Sequence, residues 1–215
     1  MTLEEVKRIL SIMNYNNRST IYDLLDVIYF NRKDSSPRTA LVDAIPVKRV
    51  TVLDICAGTC SNSILIAENK PNTMVTALDL SADMLKIAKK KIHQRGIKNI
   101  ELVIADASNS GLPAHSFDII IVSLVLHEIN ENLQSTILQE VKRLLSPNGK
   151  VIIIEWAQPE KILQCLKFTL IKLTEPRGFK SFLRKDLTTC FENAGFGILE
   201  KRECDYTAMY CLYSD

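Results

Sequence analysis

Val50-Thr51-Val52-Leu53-Asp54-Ile55-Cys56-Ala57-Gly58-Thr59-Cys60-Ser61 is the stretch from which the rest of the chain is read. Its first six residues are β-branched or apolar except for one carboxylate, with no polar alternation, as expected of a strand covered on both faces. The next five are small, and a helical pattern over Asn62–Glu68 follows. A small-residue turn between strand and helix lets backbone amides approach a ligand closely. Such turns are also common without any ligand, so the loop alone leaves both readings open.

The same unit repeats on the C-terminal side. Met74–Leu80, Ile100–Asp106, Phe117–Leu124 and Lys150–Trp156 read as further strands. Ala82–Arg95 and Asn132–Leu145 carry apolar residues at three- and four-residue spacing and read as helices. Pro71-Asn72, Gly96 and Ser146-Pro147-Asn148-Gly149 punctuate them, the last ending a helix and launching a strand. Strands alternating with helices predict βαβ units and a mostly parallel sheet. Amphipathic helices are predicted before it, over residues 2–13, 18–30 and 36–45. After it come helices near Pro159–Leu173 and Lys185–Asn193, then two runs, Phe196–Cys204 and Tyr206–Ser214, with the look of a closing β-hairpin that gives the sheet an antiparallel edge.

The 215 residues fit one domain. It divides into a helical cap (1–45), a ligand-binding core (46–157) and a third part (158–215) of acceptor-side helices and hairpin. A net charge of +2, from 27 basic and 25 acidic residues mixed along the chain, predicts no nucleic-acid surface. The basic tract Lys86–Lys91 is expected to be a solvated helix face, opposite Met84, Leu85, Ala88 and Ile92. No apolar run approaches the roughly 20 residues that span a bilayer, and the N-terminus is not signal-like, so a cytoplasmic protein is expected. Six cysteines, at 56, 60, 165, 190, 204 and 211, form no CxxC pair, and with three histidines give no zinc spacing. Reduced, mostly buried thiols and no metal are expected.

In an open α/β sheet, ligands bind beyond the carboxyl ends of the strands, where chain order reverses. The second strand ends at Asp79, 21 residues after Gly58. A carboxylate there accepts hydrogen bonds from both hydroxyls of a ribose, although Ser81 and Asp83 also make Asp79 readable as part of a helix start. The third strand ends in Ala105-Asp106-Ala107, placing a second carboxylate beside the same crevice, either to accept from a purine amine or to shape a turn.

Residues 52–59 (VLDICAGT), 77–85 (ALDLSADML), 105–108 (ADAS), 117–129 (FDIIIVSLVLHEI) and 138–156 (LQEVKRLLSPNGKVIIIEW) together resemble the class I S-adenosylmethionine-dependent methyltransferases. The likeness is greatest to the C-methyltransferases of ubiquinone and menaquinone biosynthesis. The resemblance is strong over 50–156, and its motifs are specific for the cofactor and not for the acceptor. It implies a Rossmann-like, mostly parallel seven-stranded sheet with helices on both faces and an N-terminal helical lid. The methyl donor would be S-adenosyl-L-methionine, and the acceptor a small molecule such as a quinone, a lipid or another metabolite.

Carried onto this chain, the resemblance sets Cys56, Ala57, Gly58 and Thr59 against the methionine part, with Asp54 ordering the loop. Asp79 would hold the ribose, Leu80 and Met84 would flank adenine, and Asp106 with Ala107 would meet its edge. Ser123 and Leu124 would lie under the methyl group, and Tyr22 would cover the site. The pattern departs at Cys56 and Cys60, where the family has glycines, although its quinone branch accepts alanine or cysteine at the first. A positive φ at either would cost about 1–2 kcal/mol.

Transfer from a sulfonium is an in-line displacement, and it needs a general base only if the acceptor must lose a proton. His127, just past the fourth strand, is the candidate base; a loop hydrogen bond or helix cap is its other reading. Glu155 and Trp156 are candidates to line the acceptor pocket, and Arg38 and Arg177 to bind an anionic acceptor. A nicotinamide dehydrogenase would want G-x-G-x-x-G, of which only Gly58 is present. A non-catalytic module that binds the cofactor on the same fold is the alternative.

Overall fold

A computed structural model describes residues 36–159 and 178–214, together with 165, 168, 169 and 172. The predicted helices over 2–13 and 18–30, Tyr22, Arg177 and most of 159–173 lie outside the described residues.

In chain order the elements are α1 (Pro37–Ala44), β1 (Thr51–Ile55), α2 (Ser61–Asn69), β2 (Met74–Asp79), α3 (Ala82–Gln94), β3 (Ile100–Ile104) and β4 (Phe117–Ser123). A 3₁₀ turn (Leu126–Glu128), α4 (Glu131–Leu144), β5 (Leu145–Trp156), α5 (Phe179–Phe182), α6 (Leu187–Asn193), β6 (Gly197–Cys204) and β7 (Thr207–Tyr213) follow. The seven strands form one sheet in the order β3-β2-β1-β4-β5-β7-β6. The first five run parallel, β1 beside both β2 and β4, so the chain winds outward from β1 in two directions. The crevice at the carboxyl ends of β1 and β4 is the ligand position of this topology.

The unbroken apolar runs of the central strands are explained by cores on both faces. Leu53, Ile55, Ile120, Val122, Val151 and Ile153 face one core with Ile137, Leu138 and Val141 of α4. The alternate residues Val52, Ile119, Ile121, Ile152 and Ile154 face the other with Leu41 of α1 and Ile66 of α2. Side chains of a strand point to opposite faces in turn, so only a sheet covered twice buries all of these.

Local signals set the helix starts. Ser81 Oγ accepts from the Met84 amide to cap α3, and Asn130 Oδ1 accepts from the Leu133 amide to cap α4. In α3, Leu85 and Ala88 are buried while Lys86, Lys89 and Lys90 are exposed. Lys91 departs from the solvated face expected of it: it is half-buried, and its Nζ donates to Thr59 Oγ1 at 2.9 Å, tying α3 to the loop after β1.

Two features differ from the sequence reading, while the expected hairpin does close the sheet. The turn 146–149 lies within β5, whose pairing jumps from Phe117↔Leu145 to Ile119↔Lys150, so Ser146–Gly149 bulge out with Asn148 at φ +63°. The short helix α5 was not anticipated; four residues carry no periodicity, and Phe179 and Phe182 bury it. The closing hairpin contributes two antiparallel strands, with β7 inserted between β5 and β6. That leaves β6 as the edge, and its Glu200, Lys201, Arg202 and Glu203 guard it against further pairing.

Candidate active site

The loop after β1 is built from left-handed residues. Cys56, Gly58 and Cys60 have φ of +56°, +55° and +61°. Alternation of this kind curls the backbone tightly at the head of α2, where Cys60 is the N-cap residue. A Cβ added at Gly58 would meet nothing within 4 Å, so that glycine is required by its φ and faces open space. Both cysteines therefore occupy positions that favour glycine, each costing on the order of 1 kcal/mol or more. Cys60 offsets this by packing: it is fully buried against Ile64, Ala77, Leu85 and Ala88. Burial pushes both thiols up to about 12, so they are protonated and poor nucleophiles.

Asp79 holds the loop. Its Oδ2 accepts from the Gly58 amide at 2.7 Å and its Oδ1 from the Ser81 amide at 2.8 Å, while the Ala57 amide donates to the Leu78 carbonyl. A carboxylate oxygen takes two donors, so each retains capacity for a hydroxyl. Asp54 lies beneath, 2% exposed, accepting from Ser63 Oγ at 2.5 Å. Desolvation, only partly countered by Ser63, raises Asp54 from 3.8 to about 6.

At the ends of β2 and β3, Leu80 and Ile104 are 69% and 63% exposed, and Ile104 pairs in register with Asp79. Two large apolar side chains in the open at adjacent strand ends make a surface on which a purine can lie. Met84 is half-buried one turn along, and Ala107 is buried. Asp106 is exposed at the end of β3, its Oδ1 accepting from the amide and hydroxyl of Ser108, which hold its carboxyl below the usual range. It both shapes its own turn and presents charge to the crevice.

At the end of β4, Ser123 and Leu124 are half-buried. Leu124 adopts φ +55° while its amide donates to Ile154, and there the chain leaves the sheet. Glu155 then fixes the departing turn. Fully buried, its Oε1 accepts from the amides of Val125 (2.8 Å) and Leu126 (2.6 Å), and its Oε2 lies 2.8 Å from His127 Nδ1. Glu155 is thus a buried anchor and does not line a pocket. The His127 side chain is 2% exposed and packs edge-on against Trp156, Phe179 and Phe182. In this arrangement the His127 Nδ1 is held against Glu155, behind the turn that follows β4.

Burial raises the Cys56 thiol most, and the charges of Asp79, Asp54, Asp106 and Glu128 add to it, so the loop lies in a negative field that suits a cationic ligand. Ser63, Ile104, Glu128 and the Lys91–Thr59 contact are the parts that sequence reasoning missed. Of these, Glu128 stands directly beside His127 and Ile104 beside Ala105, while Thr59 was itself among the loop residues singled out. A separate groove of about 660 Å³ lies at the opposite end of the sheet, where His115, Lys142, Lys150, Leu199 and Tyr213 line it, away from these strand ends. Arg38 lies in α1, half-buried. Among the described residues no cluster of His, Cys, Asp and Glu could hold a metal ion, and no helix is long and apolar enough to cross a membrane.

A doubly wound sheet with an acidic crevice and a tight left-handed loop after β1 defines a nucleotide-type cofactor domain. Residues 52–149 match the profile of the methyltransferase domain. The chain is similar to a structure of an S-adenosylmethionine-dependent methyltransferase from Aquifex aeolicus, with TM-score 0.72 over 93% of this chain and 98% of that one, at 20% identity. It is also similar to demethylmenaquinone methyltransferases: 35% identical over 113 residues to that of Listeria welshimeri (52% of this chain, 47% of the relative). To that of Anoxybacillus flavithermus it is 32% identical over 143 residues (66% and 60%). The chain spans about half the length of the first of these relatives. Residues 52–149 are thus similar to methyltransferase domains, on a fold shared with an S-adenosylmethionine-dependent methyltransferase structure.

Proposed function

We propose that the chain transfers the methyl group of S-adenosylmethionine to a small hydroxylated aromatic acceptor, of the quinol kind named for the similar demethylmenaquinone methyltransferases. The observation that carries the first half is the Asp79 carboxylate at the end of β2, which accepts from the Gly58 amide of the loop after β1 at 2.7 Å. When bound, the donor brings a sulfonium-linked methyl group and an ammonium, both cationic. The residues fit it: Asp79 for the ribose hydroxyls, Leu80, Ile104 and Met84 for the adenine faces, and Asp106 with Ala107 for its edge. The open backbone at Cys56–Thr59 receives the methionine part, and Ser123 and Leu124 underlie the methyl. Tyr22 is proposed as the cover. With product the sulfonium charge is gone, so the acidic crevice favours donor over product.

Support for the quinol half is the likeness to the menaquinone branch together with the aromatic cluster Trp156, Phe168, Phe179 and Tyr206 packed beside the turn after β4. The domain is proposed as one unit, with cap 1–45, core 46–157 and acceptor side 158–215, acting in the cytoplasm. The test is incubation with S-adenosylmethionine and a reduced naphthoquinone lacking the ring methyl. Release of S-adenosylhomocysteine with a methylated quinol supports the reading. Donor binding by calorimetry without release on any acceptor would make the chain a non-catalytic binding module.

A further inference from the structure

The loop after β1 needs support from outside itself. Cys56 and Cys60 hold φ of +56° and +61°, and a residue other than glycine stays in that region only where its surroundings fix the backbone. One clamp comes from β2, where Asp79 accepts from the Gly58 amide at 2.7 Å and the Leu78 carbonyl accepts from the Ala57 amide at 2.9 Å. The next residue, Thr59, is held from a different element. Its Oγ1 accepts from Lys91 Nζ of α3 at 2.9 Å, across 32 positions of the chain.

Lys91 is placed for this by its helix. It lies in the last turn of α3, one turn beyond Ala88, which is buried with Cys60 in the same apolar cluster. Helical side chains lean toward the N-terminal end of their helix, so a lysine there reaches back along α3 to the loop. Its neighbours Lys86, Lys89 and Lys90 are exposed, whereas Lys91 is half-buried. The loop is therefore pinned at two consecutive residues from two elements, Gly58 from β2 and Thr59 from α3.

We propose that Lys91 is a positioning residue for the methyl donor: through Thr59 it fixes the loop Cys56–Cys60 in the shape that receives the methionine part, and so sets the affinity for that half of the ligand. This rests on the donor reading proposed above. Asp79 serves the ribose as well as the loop, so its loss acts on both halves of the donor. Lys91 acts at Thr59, in the part of the site proposed for methionine, and its loss should separate the two halves.

The experiment uses the full chain and calorimetry with two ligands. One is S-adenosylmethionine; the other is 5′-methylthioadenosine, which keeps the nucleoside and the methylated sulfur and lacks the amino-acid part. Lys91→Met should weaken S-adenosylmethionine about tenfold and 5′-methylthioadenosine less than about twofold, and Lys91→Arg, which keeps a cationic donor, should recover most of the loss. Lys91 and Thr59 each make further contacts, so the pair is read from a double-mutant cycle with Thr59→Val, which keeps the shape and removes the acceptor oxygen. The double variant should bind within about threefold of the weaker single variant, because one bond is lost only once. In the ligand-free chain, Lys91→Met should speed amide exchange over Cys56–Cys60 several-fold and leave β1 and β2 unchanged. Unchanged S-adenosylmethionine affinity, equal loss of both ligands, or single losses that multiply in the double variant would each overturn the proposal and leave the donor reading standing. A wild type that binds S-adenosylmethionine no more tightly than 5′-methylthioadenosine would sink the donor reading, and this proposal with it.

Discussion

The Gly58 amide donates to Asp79 Oδ2 across 2.7 Å, joining two residues 21 positions apart in the chain. The carboxylate proposed for the ribose therefore also sets the loop proposed to receive the methionine part. Asp79→Ala removes both functions. Hydrogen bonds to a charged group are worth about 1.5–3 kcal/mol each, so calorimetry should show the affinity for S-adenosylmethionine falling at least about tenfold, and the melting temperature should fall with it. Asp79→Asn keeps one acceptor oxygen and should lie between. Unchanged affinity in the Ala variant would remove Asp79 from the site.

The loop cysteines are the next case. Cys56 and Cys60 both stand at positive φ, where a side chain is strained, but Cys60 is fully buried and Cys56 is half-buried. In Cys56→Gly, relief of strain opposes the added freedom of the unfolded chain, and the two are each about 1 kcal/mol. Its unfolding midpoint in urea should match wild type. Cys60→Gly also empties a packed position among Ile64, Ala77, Leu85 and Ala88 and should be less stable by about 1 kcal/mol or more. Equal midpoints for the two variants would contradict the packing role of Cys60.

Much of this site was legible before the structure. Unbroken apolar strands, small turn residues and carboxylates at strand ends are local signals, and they located Asp54, Asp79 and Asp106. What was not legible depends on which strands become neighbours. Glu155 could be read equally as a pocket residue or a structural one because it ends β5, and what decides is that β4 lies alongside and its departing amides claim the carboxylate. The same contact turns His127 inward. Lys91 read as solvated because the helical pattern marks a face without showing that the loop at Thr59 folds over it. The place of β7 between β5 and β6 was equally hidden, since a hairpin can join a sheet through either strand.

Buried Asp54 predicts a pH dependence. Its pKa in the folded chain, about 6, is above its ordinary 3.8, so between these values the native state binds more protons than the unfolded one. Stability from this group is full below about pH 3.8 and is lost as pH rises through about 6, on the order of 3 kcal/mol in all. Thermal melts should thus show Asp54→Asn gaining on wild type from pH 4 to pH 7, about 2–4 °C per kcal/mol. The cationic donor favours the ionised form, so affinity for S-adenosylmethionine should rise through the same window in wild type and stay flatter in Asp54→Asn. Parallel melting curves for the two proteins across that range would show that Asp54 is ionised throughout.

Glu155 offers the sharpest stability test, because out of solvent it accepts from the amides of Val125 and Leu126 and holds His127 Nδ1. Glu155→Ala leaves the Val125 and Leu126 amides and His127 Nδ1 without that partner, and breaking a buried pair from one side costs about 3–5 kcal/mol. Glu155→Gln retains an oxygen for the two amides and can donate to a His127 tautomer with an unprotonated Nδ1, so it should lose much less. Urea unfolding should rank wild type above Gln above Ala. Tryptophan fluorescence adds a local readout, since Trp156, the chain's single tryptophan, packs edge-on against His127. The Ala variant should shift that emission before global unfolding, as the turn from Leu124 to Glu128 loosens ahead of the sheet. An Ala variant as stable as wild type, with unshifted emission, would show that the turn holds its shape without Glu155.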